Sequence, residues 1–228
     1  MIDLGPLFPG GVEWKIAEDW MWETPVCAAE EALIAKAVDK RKREFRAGRN
    51  CAHHLFNSLG VPCDALLKGK QREPAWPAGW VGSISHTQGL CVVALAPTAH
   101  YRSIGLDVEQ ASPLGEEIRD LICSPAEQDM LTRLRLQLGQ ELASHALDKL
   151  IFSAKESIHK TYFPLNYHTL DFLDAKVEIE PSNSAFTATI IKPEPAPTVP
   201  IRTLQGNYCF DRGYVATFIS LKSENTSL

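Results

Sequence analysis

Three carboxylates on two separate segments carry the chemistry open to this chain. Asp107 and Glu109 stand two apart in Ser103-Ile104-Gly105-Leu106-Asp107-Val108-Glu109, and Glu156 follows in Phe152-Ser153-Ala154-Lys155-Glu156-Ser157. Side chains two apart on a strand share a face. Ile104, Leu106 and Val108 are therefore expected in a core, with Asp107 and Glu109 pointing together the other way. Adjacent like charges both stay ionised only with something positive between them. Hard oxygen donors suit Mg²⁺, which keeps several waters and takes carboxylates together with substrate phosphates. The expectation is phosphate chemistry, with Asp107, Glu109 and Glu156 as the metal-binding set. Plainer explanations stand beside it. An Asp-x-Glu pair also suits a solvated strand face, and Glu156 with Lys160 makes an ordinary i,i+4 helix ion pair. Two features favour the metal. The apolar strand, flanked by Gly105, is expected inside a sheet rather than at its edge. At about 100° per residue, Glu156 also leaves the apolar stripe of Leu147, Ala154 and Ile158 and joins Phe152, His159, Lys160 and Phe163.

A second group is basic. Lys36, Lys40, Arg41, Lys42, Arg43, Arg46 and Arg49 lie in a segment where Ile34, Val38, Phe45, Ala52, Leu55 and Leu59 recur at helical spacing. A solvated or nucleic-acid-facing surface explains most such runs, and Lys40, Arg43 and Arg46 point outward as it requires. Arg41 does not, because it falls within about 20° of the centre of the apolar stripe. There it would be buried without a partner unless an anion is held, and a bidentate phosphate contact is the natural one. Arg49 is placed at the edge of the stripe, and Gly48 within it suggests close approach by a backbone or a ligand. In Ser85-His86-Thr87 the hydroxyls and imidazole can bind phosphate oxygens, although a His at a strand end also serves as a plain turn residue. GxSxG, GxxxxGK[ST] and GxGxxG are absent, so a hydrolase elbow, a P-loop and a dinucleotide fingerprint are excluded at the motif level.

These residues need elements to position them. The chain has 228 residues, enough for one domain or two small ones, and 45% hydrophobic content of an ordinary globular kind. A net charge of -5 argues against coating nucleic acid. The six cysteines show no CxxC and read as reduced thiols of a cytosolic protein. The first residues lack a basic region and an apolar h-region, so no signal peptide is indicated, and the apolar stretch Leu90 to Ala96 is too short to span a bilayer. Periodicity predicts a helix over 28–59 ended by Gly60-Val61-Pro62, then strands over 81–85, 90–96 and 104–109. Ser112-Pro113 opens a short helix, and Ser124-Pro125-Ala126-Glu127 is a capping-box start. A long helix is expected over 142–163, stopped by Pro164, followed by strands over 170–179, 185–191, 203–210 and 215–221. This is an α+β chain of two halves, 1–102 and 103–228.

The ordered motifs Lys40–Arg49, Arg72-Glu73-Pro74-Ala75-Trp76-Pro77, Gly82-Ser83-Ile84-Ser85-His86, Ile104–Glu109 and Phe152–Ser157 with Lys160 resemble the Sfp-type 4'-phosphopantetheinyl transferases. The Phe-Ser-Ala-Lys-Glu-Ser form looks closest to the EntD-like branch (enterobactin synthase component D) of siderophore synthesis. The resemblance implies two similar subdomains in a pseudo-two-fold arrangement, a cytoplasmic monomer, and coenzyme A and Mg²⁺ in the cleft between the halves. It implies transfer of the phosphopantetheine arm to a serine of apo acyl, peptidyl or aryl carrier proteins of siderophore, non-ribosomal peptide or polyketide assembly, releasing 3',5'-ADP, with no nucleic-acid partner. By motif, Asp107, Glu109 and Glu156 resemble the metal-binding acids, with Glu156, Lys160 and Asp107 catalytic. Lys155 and Lys160 resemble the pyrophosphate lysines; Arg41, Arg49, Ser85 and His86 resemble contacts to the 3'-phosphoadenosine end, and the loop from Lys68 to Arg72 adds a further phosphate contact. Phe152 stands where many Sfp-type members carry Trp. The carrier is expected to dock at Leu114–Ile122 near Arg119, a segment that also suits a plain amphipathic helix on its own core. The alternatives are a non-catalytic nucleotide- or RNA-binding protein using helix 36–49, and a coenzyme A-binding acyltransferase without metal acids.

Overall fold

Residues 2–69, 71, 73–137 and 146–223 are described by the computed structural model. Arg72 and the start of the helix expected from 142 lie outside them. The chain forms two units, one of Gly10–Ile104 with Lys222–Leu228, the other of Met1–Pro9 with Gly105–Leu221. Each is α+β. Among the described residues no helix is long and apolar enough to cross a membrane.

In the N-terminal unit, strands β1 (Glu13–Ile16), β2 (Trp80–Thr87) and β3 (Leu90–Pro97) form an antiparallel sheet in the order β1-β3-β2. The tight β2–β3 hairpin pairs Thr87 with Leu90 and turns through Gly89 at φ 76°, a left-handed conformation that suits glycine. Helices α1 (Asp19–Glu23), α2 (Ala28–Ala32) and α3 (Asp39–Ser58) complete the unit. Cys51, Ala52, Leu55 and Phe56 of α3 pack on Val93, Leu95, Met21 and Leu66. The helix ends as its sequence requires: Gly60 at φ 68°, with Gly60 N–H on Asn57 O and Val61 N–H on Phe56 O. The helix expected over 28–59 is in fact broken. Val38 is an extended N-cap and 73% exposed, and Ile34, although buried, lies before the start of α3, so neither extends its stripe.

In the C-terminal unit, β4 (Tyr101–Gln110, its first residues in the other unit), β5 (Ala175–Glu180), β6 (Ala185–Ile190), β7 (Thr203–Asp211) and β8 (Tyr214–Lys222) form a sheet in the order β4-β8-β7-β6-β5. Helices α4 (Glu116–Ile122), α5 (Pro125–Gln137) and α6 (Leu147–Asn166) join its core. Three expectations shift. The short helix starts at Glu116 behind Gly115, not at Ser112-Pro113. Pro164 sits inside the last turn of α6, which ends at left-handed Tyr167, φ 51°. A proline there removes a single N–H and leaves only the final turn beyond it. Third, β4 is the terminal strand of its sheet rather than an interior one. It is buried because α6 lies directly across it: a side chain at Gly105 would run into Ser157 O and Thr161 Oγ1. Helix α5 begins as predicted, with Glu127 Oε2 accepting from Ser124 N–H at 2.7 Å and Ser124 Oγ facing Glu127 N–H.

Candidate active site

The α6–β4 crossing sets the chemistry of the C-terminal unit. Strand alternation puts Gly105, Asp107 and Glu109 on the face that α6 covers. Because Gly105 has no Cβ, α6 approaches closely enough for Lys160 to reach β4. Its Nζ donates to Asp107 Oδ1 at 2.8 Å and to Leu106 O at 3.0 Å. Asp107 is buried. Burial, then the charge of Asp107, pushes Glu109 up to about 7, against the opposing pull of Lys149 and Lys160. Glu156 is raised too, by burial and by Asp107, with Lys160 opposing. The three acids therefore act on one another across the crossing. They do not form a finished cage: among the described residues, no three His, Cys, Asp or Glu side chains converge closely enough to hold a metal. The fit to a divalent cation lies in the donors, hard oxygens whose mutual repulsion a cation relieves.

A cavity of about 310 Å³ opens beside Glu156, with His159, Leu170 and Phe172 in its wall. His159 stacks on Phe163 at 5.3 Å, and burial followed by the Lys160 charge pushes its imidazole below the usual range, toward the neutral form. Lys155 is a correction to the sequence expectation. It is turned into the core, with Nζ donating to Ile122 O at 2.7 Å and to the fully buried Glu127 at 2.8 Å. Reaching a pyrophosphate would break both bonds and leave the buried Glu127 carboxylate without its counter-charge, held by Ser124 and the Val177 N–H group. Lys155 instead ties α6 to α4 and α5, next to Glu156.

In the N-terminal unit, Arg41, Arg49, Lys68 and His86 meet around a cavity of about 180 Å³ with Glu44 and Ile84. Arg41 Nη1 lies 2.9 Å from His86 Nε2, a contact in which the guanidinium can only donate. Arg41 is on the expected face, but its side chain is 51% exposed. Arg49, expected at the edge, is the buried one. Its guanidinium lies 4.6 Å above the Phe45 ring, and Lys68 Nζ is 5.8 Å from the same ring. Burial pulls Arg49 down to about 10, with Glu30 opposing. It stays charged at neutral pH. Gly48 has the role expected of a close approach, since a Cβ there would press on the Ile84 side chain. Ser85 is buried on the opposite face of β2 from Ile84 and His86, because the strand alternates.

Sequence reasoning missed Phe45 as the platform and Glu30 as the counter-charge. The spacing of Phe45 and Arg49, four apart on one helix, was the available signal. The remaining cations of α3 are matched within the unit: Arg43 with Glu23 at 2.7 Å, Arg46 with Glu31 at 2.8 Å, Lys40 with Glu44 at 3.9 Å and Lys42 with Asp39 at 4.0 Å. Nucleic-acid binding through helix 36–49 is not supported by a face so neutralised. Burial lifts the thiols of Cys51 and Cys123 to about 12, so neither is a nucleophile at neutral pH.

Two sequence profiles match the chain. The 4'-phosphopantetheinyl transferase N-terminal domain covers residues 29–96 and the 4'-phosphopantetheinyl transferase superfamily covers residues 103–219. The chain belongs to the 4'-phosphopantetheinyl transferases. It is 34% identical over 217 residues to 4'-phosphopantetheinyl transferase Svp of Streptomyces mobaraensis, spanning 91% of this chain and 86% of that protein. It is 35% identical over 197 residues to 4'-phosphopantetheinyl transferase PptT of Mycobacterium tuberculosis, spanning 84% of each. Similarity to enterobactin synthase component D of Escherichia coli K12 is 37% over 133 residues, 57% of this chain and 58% of that protein. The activity is transfer of the 4'-phosphopantetheine arm of coenzyme A to carrier proteins.

Proposed function

We propose that the α6–β4 acids and Lys160 act at the pyrophosphate of coenzyme A, and that Arg41, Arg49, Lys68 and His86 take its 3'-phosphoadenosine end. The carrier serine Oγ attacks the phosphorus that bears the pantetheine. A new P–O bond forms there, the P–O bond to the adenosine-side phosphate breaks, and 3',5'-ADP leaves. The serine proton passes to the Glu156 carboxylate, directly or through water. Little covalent work falls to the protein in such a transfer, so positioning and cations carry the catalysis. Asp107, Glu109 and Glu156 would hold Mg²⁺, which would supply charge neutralisation at the pyrophosphate. Lys160, steered by Asp107, offsets charge on the departing phosphate. The observation that carries this is the 2.8 Å Lys160–Asp107 contact beside two further acids of raised pKa. Six free cysteines accord with a cytoplasmic setting.

The test is incubation with coenzyme A, Mg²⁺ and a panel of apo acyl, peptidyl and aryl carriers. Mass spectrometry should show the phosphopantetheine increment with equimolar 3',5'-ADP, and EDTA should abolish it. Transfer that persists in EDTA would remove the metal from the scheme. No transfer to any carrier would remove the serine-carrier acceptor. The panel also assigns the acceptor class.

Carrier docking is assigned to α4. Ile122 is buried in the core, but Ile118 and Leu121 are 53% and 69% exposed on either side of Arg119. Three apart on the helix, they form one exposed apolar patch that a partner can cover. Ile118→Ala with Leu121→Ala should raise the carrier KM by about tenfold, a hot-spot effect of ordinary size, and leave the coenzyme A KM unchanged. A changed coenzyme A KM with an unchanged carrier KM rejects the assignment.

A further inference from the structure

The basic cavity has a support that none of its lining residues supplies. Glu30 on α2 is fully buried, yet it is ionisable and sits among polar groups from three segments. Its Oε1 accepts from Leu66 N–H at 2.9 Å and from His53 Nε2 at 2.9 Å, and its Oε2 accepts from Cys27 Sγ at 3.3 Å. Burial opposes ionisation, but the His53 and Leu66 hydrogen bonds outweigh it and hold the carboxyl below the usual range. Arg49 Nε faces Oε1 from 3.8 Å, within reach of the charge and beyond a hydrogen bond. That Nε is buried and, among the described residues, has no hydrogen-bond partner. Arg49 is thus held from behind by a field and from the side by the Phe45 ring, and it is itself part of the cavity wall. Glu30 also grips Leu66, two residues before Lys68 in the same loop.

We infer that Glu30 is a positioning residue: through Arg49 and the Leu66–Lys68 loop it aims the cations of this cavity at a phosphate monoester of the ligand, without touching the ligand itself. The inference rests on the assignment of this cavity to the 3'-phosphate of coenzyme A. Glu44 already lines the cavity, 3.5 Å from Arg41, and a second carboxylate there would repel the phosphate. Set behind the guanidinium, Glu30 keeps the fork in place without adding its charge to the wall. A long-range pair suits the task, because a direct bidentate contact would use the same nitrogens that a phosphate needs.

The experiment is steady-state kinetics of the full chain with a saturating apo carrier, comparing coenzyme A with 3'-dephospho-coenzyme A. Glu30→Gln keeps the shape and loses the charge. Its KM for coenzyme A should rise by about tenfold with kcat within about twofold, the pattern of lost uniform binding, while the KM for the dephospho compound stays within about twofold of wild type. Arg49→Ala should cut the preference between the two compounds by more than Glu30→Gln does, and Glu30→Gln combined with Arg49→Ala should lose less than the two single losses combined. Equal KM increases for both compounds in Glu30→Gln, or additive losses in the double variant, overturn the positioning role. If Arg49→Ala retains the full preference, the cavity assignment has failed instead, and that result is visible without any Glu30 variant. Should Glu30→Gln not fold, Glu30→Asp carries the test. Drawing the carboxylate back lengthens a pair that already spans 3.8 Å, and the preference for coenzyme A should fall by about threefold. An unchanged preference in folded Glu30→Asp overturns the inference.

Discussion

Glu156→Gln should lower kcat by about 10²–10⁴-fold at saturating coenzyme A, carrier and Mg²⁺, the range associated with loss of a general base. The substitution keeps the size and a carbonyl oxygen of the side chain, so its packing in the cavity wall is preserved. It removes the charge on which both assigned duties depend. The two duties separate in the metal dependence. A residue that only ligates would be compensated by more Mg²⁺, with the apparent Mg²⁺ affinity falling and kcat recovering at high concentration. A residue that also accepts the serine proton leaves kcat depressed at every Mg²⁺ concentration. Asp107→Asn provides the contrast, because Asp107 orients Lys160 at 2.8 Å and is offered no proton. Its loss should respond to metal more than that of Glu156→Gln. Near wild-type turnover in Glu156→Gln at saturating Mg²⁺ would remove the base duty, and an unchanged apparent Mg²⁺ affinity beside it would remove the ligand duty as well.

Why these residues were legible in the sequence and others were not follows from the range of the forces involved. The pairing of Asp107 with Glu109 on one face, the Gly60 helix end and the Ser124–Glu127 capping box depend on neighbours a few residues apart. Local spacing is enough to read them. The exchange of roles between Arg41 and Arg49 was not local. A helical wheel gives the face of a residue but not whether anything covers that face at its height along the axis. Arg41 meets His86 near the end of β2 and stays half exposed, whereas Arg49 is closed in by Glu30 of α2 and by the Phe45 ring. Lys155 shows the same limit. Its neighbour Glu156 and its place in the motif suggested a phosphate contact, but Glu127, on another helix, takes its ammonium into the core. Nor could the position of β4 at the end of its sheet be read from apolar content. A strand covered by a helix is as apolar as one flanked by strands.

Gly105→Ala tests the crossing itself, and its effect on turnover should be out of proportion to a single methyl group. The added Cβ meets Ser157 O, a backbone atom, and Thr161 Oγ1, so no side-chain rotation clears the space. Either α6 moves off β4 or β4 shifts under it. Overpacking of this kind costs about 1–3 kcal/mol, which a chain of this size can absorb and still fold. Catalysis tolerates the shift less well, because Lys160 and Glu156 flank the contact on α6 while Asp107 and Glu109 follow it on β4. A displacement of about 1 Å at a reacting centre can cost on the order of 10²-fold. The expected result is therefore a modest fall in Tm with a kcat loss near that size, and a coenzyme A KM little changed, since Arg41, Arg49 and Lys68 belong to the other unit. Thr161→Ala added to Gly105→Ala relieves the hydroxyl contact and leaves the Ser157 carbonyl in place, so it should restore little activity. Wild-type kcat in Gly105→Ala would mean that the acids and Lys160 do not need this helix-to-strand distance, and that the chemistry is organised elsewhere.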